Sequence, residues 1–419
     1  MIFQDQTLMT IKKNNKKEVF MKKHFLMVLI LSFSILTMFA LSACQQTSTG
    51  PFQIPEDTPQ AAYSIDKLHW PGDSPYTINK SLVNLLSQSI LTGQFGEIHS
   101  FIVIQNDVLV HESYYRGWSR HKMHPCFSAT KSVTSALFGI AMEQGAIKSL
   151  DDRLLSYFPE YTDIKYLDER KESITLRHLL TMSAGLDWNE FVVPYLDANG
   201  NWNMENDVVA LMYASDPYKY VLDKEVVTDP GTTFNYSSGS SDLLGGIIAK
   251  STGVSVKNYA ETNLFEPLGI TKYDWPALQN GGQEAAAGLS LHPVNMAMFG
   301  YLYLKEGQYK GRQIISKEWV QESTAKHISF TMNSMDFDYG YQWWRWGASI
   351  LESGLLPPLK TNDIYYAMGV GGQVIFVVPH LDLVVAVTSW NGGTPEEIQK
   401  SMNLCGAVLW TIKKRWPYI

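Results

Sequence analysis

Residues 124–133 read His-Pro-Cys-Phe-Ser-Ala-Thr-Lys-Ser-Val. The stretch closes a polar segment and opens an apolar helix. Val133, Leu137, Ile140 and Ala141 recur on one face at helical spacing, and Gly145 marks the end. Serine is a favoured N-cap, so Ser128 has a structural explanation as the cap of this helix. It also has a chemical one. Residues three apart share a helix face, which brings the Lys131 amine to the Ser128 hydroxyl. A lysine held in a dry site gives up its proton more readily, as a general base for a hydroxyl must. The N–H groups of the first turn carry partial positive charge that favours an oxyanion. Ser64…Lys67, Ser119…Lys122 and Ser323…Lys326 share the Ser-x-x-Lys spacing, but none of them opens an apolar helix.

Working outward, Phe101–Gln105 and Val108–His111 flank Asn106-Asp107, the pattern of a β-hairpin. A long middle section carries mostly helical signals, among them Ile174 to Met182, Val208 to Tyr213 and Ser241 to Ala249. A further helix begins at Ser316. Ile364 to Met368, Val374 to Val378 and Leu381 to Thr388 read as strands, with tight turns at Gly371-Gly372 and Pro379-His380. Thr394-Pro395-Glu396-Glu397 has the cap, the proline and the early acids of a helix start, and this helix is expected to run to about Lys413. Strands at both ends and helices between predict an α/β (α+β) fold: an antiparallel sheet flanked by the terminal helices, with a mostly helical region inserted. The expected sheet subdomain covers about 63–125 and 290–419, and the helical subdomain about 126–289. A cleft is expected where they meet.

The N-terminus has its own signature. Six lysines between Lys12 and Lys23 precede an apolar run from Phe25 to Leu41, followed by Leu41-Ser42-Ala43-Cys44. A basic region, an apolar region and small residues describe a secretory signal; an uncleaved membrane anchor is the alternative. Leu-Ser-Ala-Cys resembles a bacterial lipobox, which implies lipidation at Cys44 and a catalytic domain held outside the cytoplasm at the cell envelope. Residues 1–43 are then a lipoprotein signal peptide, with Met21 a possible natural start, and 44–62 a polar tether before a domain at 63–419. Removing 1–43 deletes six Lys, one Asp and one Glu, so the formal charge moves from −7 to −11. An acidic body argues against nucleic acid as a partner. Cys126 and Cys405 are expected as buried free thiols.

Two further motifs bear on chemistry. Phe234-Asn235-Tyr236-Ser237-Ser238 follows Pro230-Gly231 and is expected on a loop before a helix, where side chains reach a cleft. A buried phenol beside an amine can pass a proton to a leaving group; packing of the ring with its hydroxyl satisfied by backbone is the alternative. Met368-Gly369-Val370-Gly371-Gly372-Gln373 lies between two strands, where glycine allows close backbone approach to a ligand. No Lys-Ser/Thr closes it as a phosphate loop would require. No Gly-x-Ser-x-Gly elbow is present. His111-Glu112 and the pair His121 and His124 lack the further ligands of a metal centre, so neither metal nor cofactor is expected.

Ser128-Ala129-Thr130-Lys131, Tyr236-Ser237-Ser238 and the turn at 369–372, in that order, resemble the penicillin-recognising serine hydrolases. The likeness is to the class C β-lactamase branch, with its D-Ala-D-Ala peptidases, esterases and 6-aminohexanoate-dimer hydrolases. Flanking text agrees: ITLRHLLTMSAGLDW (174–188), LFEPLGI (264–270), the run from Ala285 to Ser316, and YGYQWW (339–344). The resemblance implies a β-lactamase/transpeptidase-like fold with Ser128 as acylated nucleophile and Lys131 as its base. Tyr236 would be the proton shuttle, and Ser238 would position Lys131 or substrate. The N–H groups of Ser128 and Val370, in Gly369-Val370-Gly371, would form the oxyanion hole. β-Lactamases carry Lys-Thr-Gly or a close variant at that strand, and its cation is missing here. The implied substrate is therefore a small ester or linear amide. The competing functions are a D-Ala-D-Ala peptidase or β-lactamase, and a non-catalytic lipid-anchored binding or sensor protein.

Overall fold

In the computed structural model, described residues are 76–351, 363–391 and 395–414, apart from 198 and 333. The expected signal peptide, Cys44 and the expected tether lie outside them. All belong to one compact unit, Ile65–Ile419. Among them no helix is long and apolar enough to cross a membrane.

The strands in chain order are β1 (Tyr76–Ile78), β2 (Ile98–Gln105), β3 (Val108–Tyr114), β4 (His124–Pro125), β5 (Tyr273–Asp274), β6 (Ser290–Leu291), β7 (Gln308–Tyr309) and β8 (Arg312–Gln313). They continue with β9 (Ile328–Met332), β10 (Met335–Tyr339), β11 (Trp344–Trp346), β12 (Tyr365–Gly369), β13 (Gln373–Val378), β14 (Leu383–Ser389) and β15 (Ile412–Lys414). The larger helices are α1 (Lys80–Leu91), α2 (Thr130–Glu143), α3 (Ser238–Thr252), α4 (Pro293–Leu304) and α5 (Pro395–Leu409).

Eight strands form one antiparallel sheet in the order β3-β2-β14-β13-β12-β11-β10-β9. The β2–β3 hairpin turns at Asn106 and Asp107, which both adopt positive φ, as a tight two-residue hairpin turn demands. Strand alternation sends β13 and β14 side chains to two helical layers. Val374, Phe376, Val385 and Val387 join Leu404, Cys405 and Val408 of α5 in one buried cluster. Ile375, Val377 and Val384 face the other way, onto α4, where a Cβ on Gly300 would sit 2.6 Å from Ile375. Glycine lets helix and sheet touch there. The observed mixed α/β architecture is the one the strand and helix pattern predicts.

Helix α2 is buried over most of its length, and its Gly139 lies directly beneath the Trp319 ring. Gln342, in the turn before β11, ties the helical elements to the sheet. Ser132 of α2 donates to its backbone oxygen at 2.7 Å, and Ser241 of α3 donates to its side-chain oxygen at 2.7 Å. Its amide in turn donates to the Leu180 carbonyl at 3.0 Å. The helices that carry the two candidate motifs are thus fixed to one residue of the β10–β11 turn.

Several expectations are corrected. The last helix ends at Leu409, not near Lys413. The chain turns through Trp410-Thr411, and Ile412–Lys414 pairs with Tyr76–Ile78 as a small second sheet. Strands β9 to β11 extend the sheet beyond the expected set. Helix α3 begins at Ser238, three residues earlier than expected, because Ser237 caps it by accepting from the Ser240 N–H at 3.1 Å. Ser238 is therefore in the first helical turn rather than on the preceding loop.

Candidate active site

Ser128 is not the cap of its helix. It sits in a short 3₁₀ turn, Phe127–Ala129, and Ala129 occupies the N-cap position of α2 with no side-chain cap bond. Phe127 immediately before it adopts φ +46, a left-handed conformation that costs a non-glycine residue on the order of 1–3 kcal/mol. The half-buried Ser128 hydroxyl faces two groups. Lys131 Nζ lies 3.1 Å from Ser128 Oγ, and the Tyr236 phenol is its other hydrogen-bond partner.

The Lys131 amine is fully buried. Besides Ser128 it contacts Ser238 Oγ at 3.0 Å and the Ala286 carbonyl oxygen at 3.1 Å. Burial pushes its pKa below the ordinary lysine value, while the negative charges of Glu190, Asp242 and Glu284 pull it back up. Asp242, one turn along α3, accepts from the Ala286 N–H at 3.0 Å and so holds the carbonyl that Lys131 meets. Burial, reinforced by Glu284, raises the Asp242 carboxyl to about 8.

Tyr236 is also buried. Lys131 Nζ lies 4.8 Å from its ring centroid, Trp344 stacks on the ring at 5.4 Å, and Phe191 stacks at 4.9 Å. Burial and the nearby Glu190 charge drive its pKa well above 10, so the phenol keeps its proton. The loop that carries it is pinned by Asn235, whose amide donates to the Leu186 and Trp188 carbonyls at 3.1 and 3.2 Å.

The turn between β12 and β13 completes the group. A Cβ built on Gly369 would fall 2.3 Å from the Cys126 carbonyl oxygen and 3.1 Å from the Ser128 nitrogen. Only glycine lets this strand end lie so close to the serine backbone. Gly371 and Gly372 adopt φ +81 and +94, and Ser389 Oγ hydrogen-bonds to their carbonyls at 2.6 and 2.9 Å. Val370 follows Gly369, and its carbonyl accepts from the Gln373 amide at 3.1 Å. Ser128, Lys131, Tyr236, Ser238 and the 369–371 turn therefore converge, although up to 243 positions separate them in the chain.

Glu190, a buried carboxylate of the site, belongs to no sequence motif. It accepts from the Ser238 N–H at 2.8 Å and the Trp188 indole at 2.9 Å on one oxygen, and from the Ser238 hydroxyl at 2.7 Å on the other. Cys126 is buried with its thiol pushed up to about 12, which suits packing rather than nucleophilic attack. Both ring nitrogens of His124 are engaged, Nε2 with His99 Nδ1 at 2.8 Å and Nδ1 with the Pro125 carbonyl at 3.0 Å. Among the described residues, no three His, Cys, Asp or Glu side chains cluster as a metal site.

The β-lactamase family profile matches residues 99–403, most of the chain and all of the residues just described. The chain belongs to the β-lactamase family. This family is one of serine hydrolases with amidase and esterase members. The chain is 24% identical over 307 residues to the 6-aminohexanoate-dimer hydrolase of Paenarthrobacter ureafaciens, which spans 70% of this chain and 72% of that protein. It is 30% identical over 159 residues to the ML-236A carboxylate methylbutanoyltransferase of Penicillium citrinum, a match that spans 34% of this chain and only 35% of that protein. Solved structures share the fold, among them the following two. The hydrolase EstCE1, described as having promiscuous acyltransferase activity, aligns with TM-score 0.61 at 16% identity, covering 79% of this chain and 97% of its own. The octameric penicillin-binding protein homologue of Pyrococcus abyssi aligns with TM-score 0.57 at 21% identity, covering 77% of each chain.

The contact at Gly369 gives a direct test. Gly369→Ala must displace the turn from the Ser128 backbone, and a displacement of that size costs roughly 100-fold in rate. The hydrolase activity of the folded variant is expected to fall accordingly, and an unchanged kcat/KM would contradict the role of this close approach.

Proposed function

We propose that this β-lactamase-family protein is a serine hydrolase that cleaves an ester or linear amide through an acyl-Ser128 intermediate. The observation that carries the proposal is the buried Lys131 amine 3.1 Å from Ser128 Oγ, with its pKa lowered by burial. In the neutral state the amine accepts the Ser128 proton as Oγ attacks the carbonyl carbon. The oxyanion that forms would be met by the N–H groups of Ser128 and Val370. Tyr236, which retains its proton, gives it to the departing alkoxide or amine and is reprotonated through Lys131. Water then attacks the acyl-enzyme, releases the acid and returns the proton to Ser128.

Ester or linear amide is favoured over β-lactam because Gly369-Val370-Gly371 offers neither cation nor hydroxyl where a substrate carboxylate would be gripped. The similarity to an amide-dimer hydrolase and to acyl-transferring enzymes supports the same reading.

Lys131→Ala and Tyr236→Phe are each expected to lower kcat for a chromogenic ester by at least about 100-fold, and Tyr236→Phe to leave the melting temperature near that of the wild type. Near-normal rates in both would refute the mechanism. The pH profile has a defined sign. kcat/KM rises with pH as Lys131 loses its proton, with a midpoint below the ordinary lysine value of 10.5. Tyr236 holds its proton to well above 10, so no falling limb is expected near neutrality. A rising limb with its midpoint at or above 10.5 would contradict the assignment of Lys131.

For the N-terminus, outside the described residues, the proposal is lipid anchoring at Cys44 with the hydrolase on the extracytoplasmic side of the membrane. Metabolic labelling with a fatty acid is expected to mark the wild type and not Cys44→Ser; equal labelling would count against it.

A further inference from the structure

We propose that Glu190 is a positioning residue that decides which way the Lys131 lone pair faces. The inference rests on the reading of Lys131 as the base for Ser128, and it follows from counting protons around the amine.

Lys131 Nζ touches three oxygens, those of Ser128, Ser238 and Ala286. When protonated, the amine donates to all three. A neutral amine has two N–H groups and one lone pair, and of the three oxygens only one with a proton to spare can donate to that lone pair. The Ala286 carbonyl carries no proton and only accepts. Ser238 has one hydroxyl proton, and it is donated to Glu190 Oε1 at 2.7 Å. Toward Lys131, Ser238 can therefore only accept. Ser128 is the remaining partner, and its proton is the one that must move in catalysis. The Glu190 carboxylate thus sets the sense of every bond in the chain, from Ser128 O–H to Lys131, Lys131 N–H to Ser238, and Ser238 O–H to Glu190.

Glu190 is itself held in one orientation. Its Oε2 accepts from the Ser238 N–H at 2.8 Å and the Trp188 indole N–H at 2.9 Å, and neither donor can reverse its role. It is 4% exposed, so water does not compete for either oxygen. Being a carboxylate, it offers acceptors on both sides and no donor.

Glu190→Gln separates this role from bulk and packing. The amide is the same size, but only one of its two ends accepts. The two fixed N–H donors at Oε2 claim the amide oxygen, so the NH₂ end faces Ser238 Oγ and donates to it. The Ser238 proton is then redirected to the Lys131 lone pair, which turns away from Ser128. Labelling by a fluorophosphonate, followed by intact-protein mass, is expected to slow by about 100-fold in E190Q, the range associated with losing a general base. Removing the hydroxyl removes what is inverted. E190Q combined with Ser238→Ala should label within about threefold of S238A alone, the signature of two residues acting through one contact.

A carboxylate with a merely structural role would cost the same in both backgrounds, and that result would overturn the proposal. So would E190Q labelling at the wild-type rate. S238A alone provides a second arm that does not depend on E190Q folding. It deprives Lys131 of an acceptor and is expected to label more slowly than wild type. Faster labelling would mean that Ser238 had been donating to Lys131, and the proposal would fall. If the wild type itself does not label, the reading of Lys131 as the base for Ser128 fails instead, and the two failures are told apart.

Discussion

The structure depends on the removal of one lysine amine from water. Lys131 is 1% exposed, yet each of its polar contacts is with an oxygen placed by a different part of the fold. Ser128 comes from the 3₁₀ turn before α2, Ser238 from the first turn of α3, and Ala286 from the segment leading to β6. An unpaired buried ammonium would be strongly destabilising. The three oxygens and the neighbouring Glu190, joined by Asp242 and Glu284 when these ionise, compensate for that burial without returning the amine to solvent. The same environment that makes the lysine tolerable lowers its pKa, and this links the packing of the protein to its chemistry.

The rest of the architecture serves to hold these oxygens in register. Gln342, in the turn before β11, bonds to Ser132 of α2, Ser241 of α3 and the Leu180 carbonyl. Asn235 fastens the Tyr236 loop to the backbone at Leu186 and Trp188, which also brings Glu190 to the base of α3. Asp242 holds Ala286. The strained φ of Phe127 and the absence of a Cβ at Gly369 let the end of β12 approach the Ser128 nitrogen. The left-handed Phe127 thus stands next to the proposed nucleophile.

How much was legible beforehand varied with the range of the interaction involved. The β2–β3 hairpin, α2 and the glycine turn were readable because alternation, helical period and glycine are local signals. Ser128, Lys131, Tyr236 and Ser238 were readable as a spaced set, since two of them share a helix face and the others flank a helix start. In β10, Phe337, Asp338 and Tyr339 are buried in succession, and period two disappears when both sides are buried. The end of α5 was misjudged because what stops it is pairing with β1, more than 330 residues away. Glu190 carried no signal at all: Trp188-Asn189-Glu190 has no motif, and its meaning lies in a contact with Ser238, 48 positions on.

The central claim is that Ser128 is a nucleophile activated by its surroundings. The direct measurement is the intact mass of residues 52–419 after exposure to a fluorophosphonate, with Ser128→Ala treated in parallel. The account predicts a single adduct on the wild-type protein, located at Ser128 and missing from the variant. A folded wild-type protein that gains no mass, or an equal gain in both, would contradict it and leave Ser128 as a serine in a buried polar cluster.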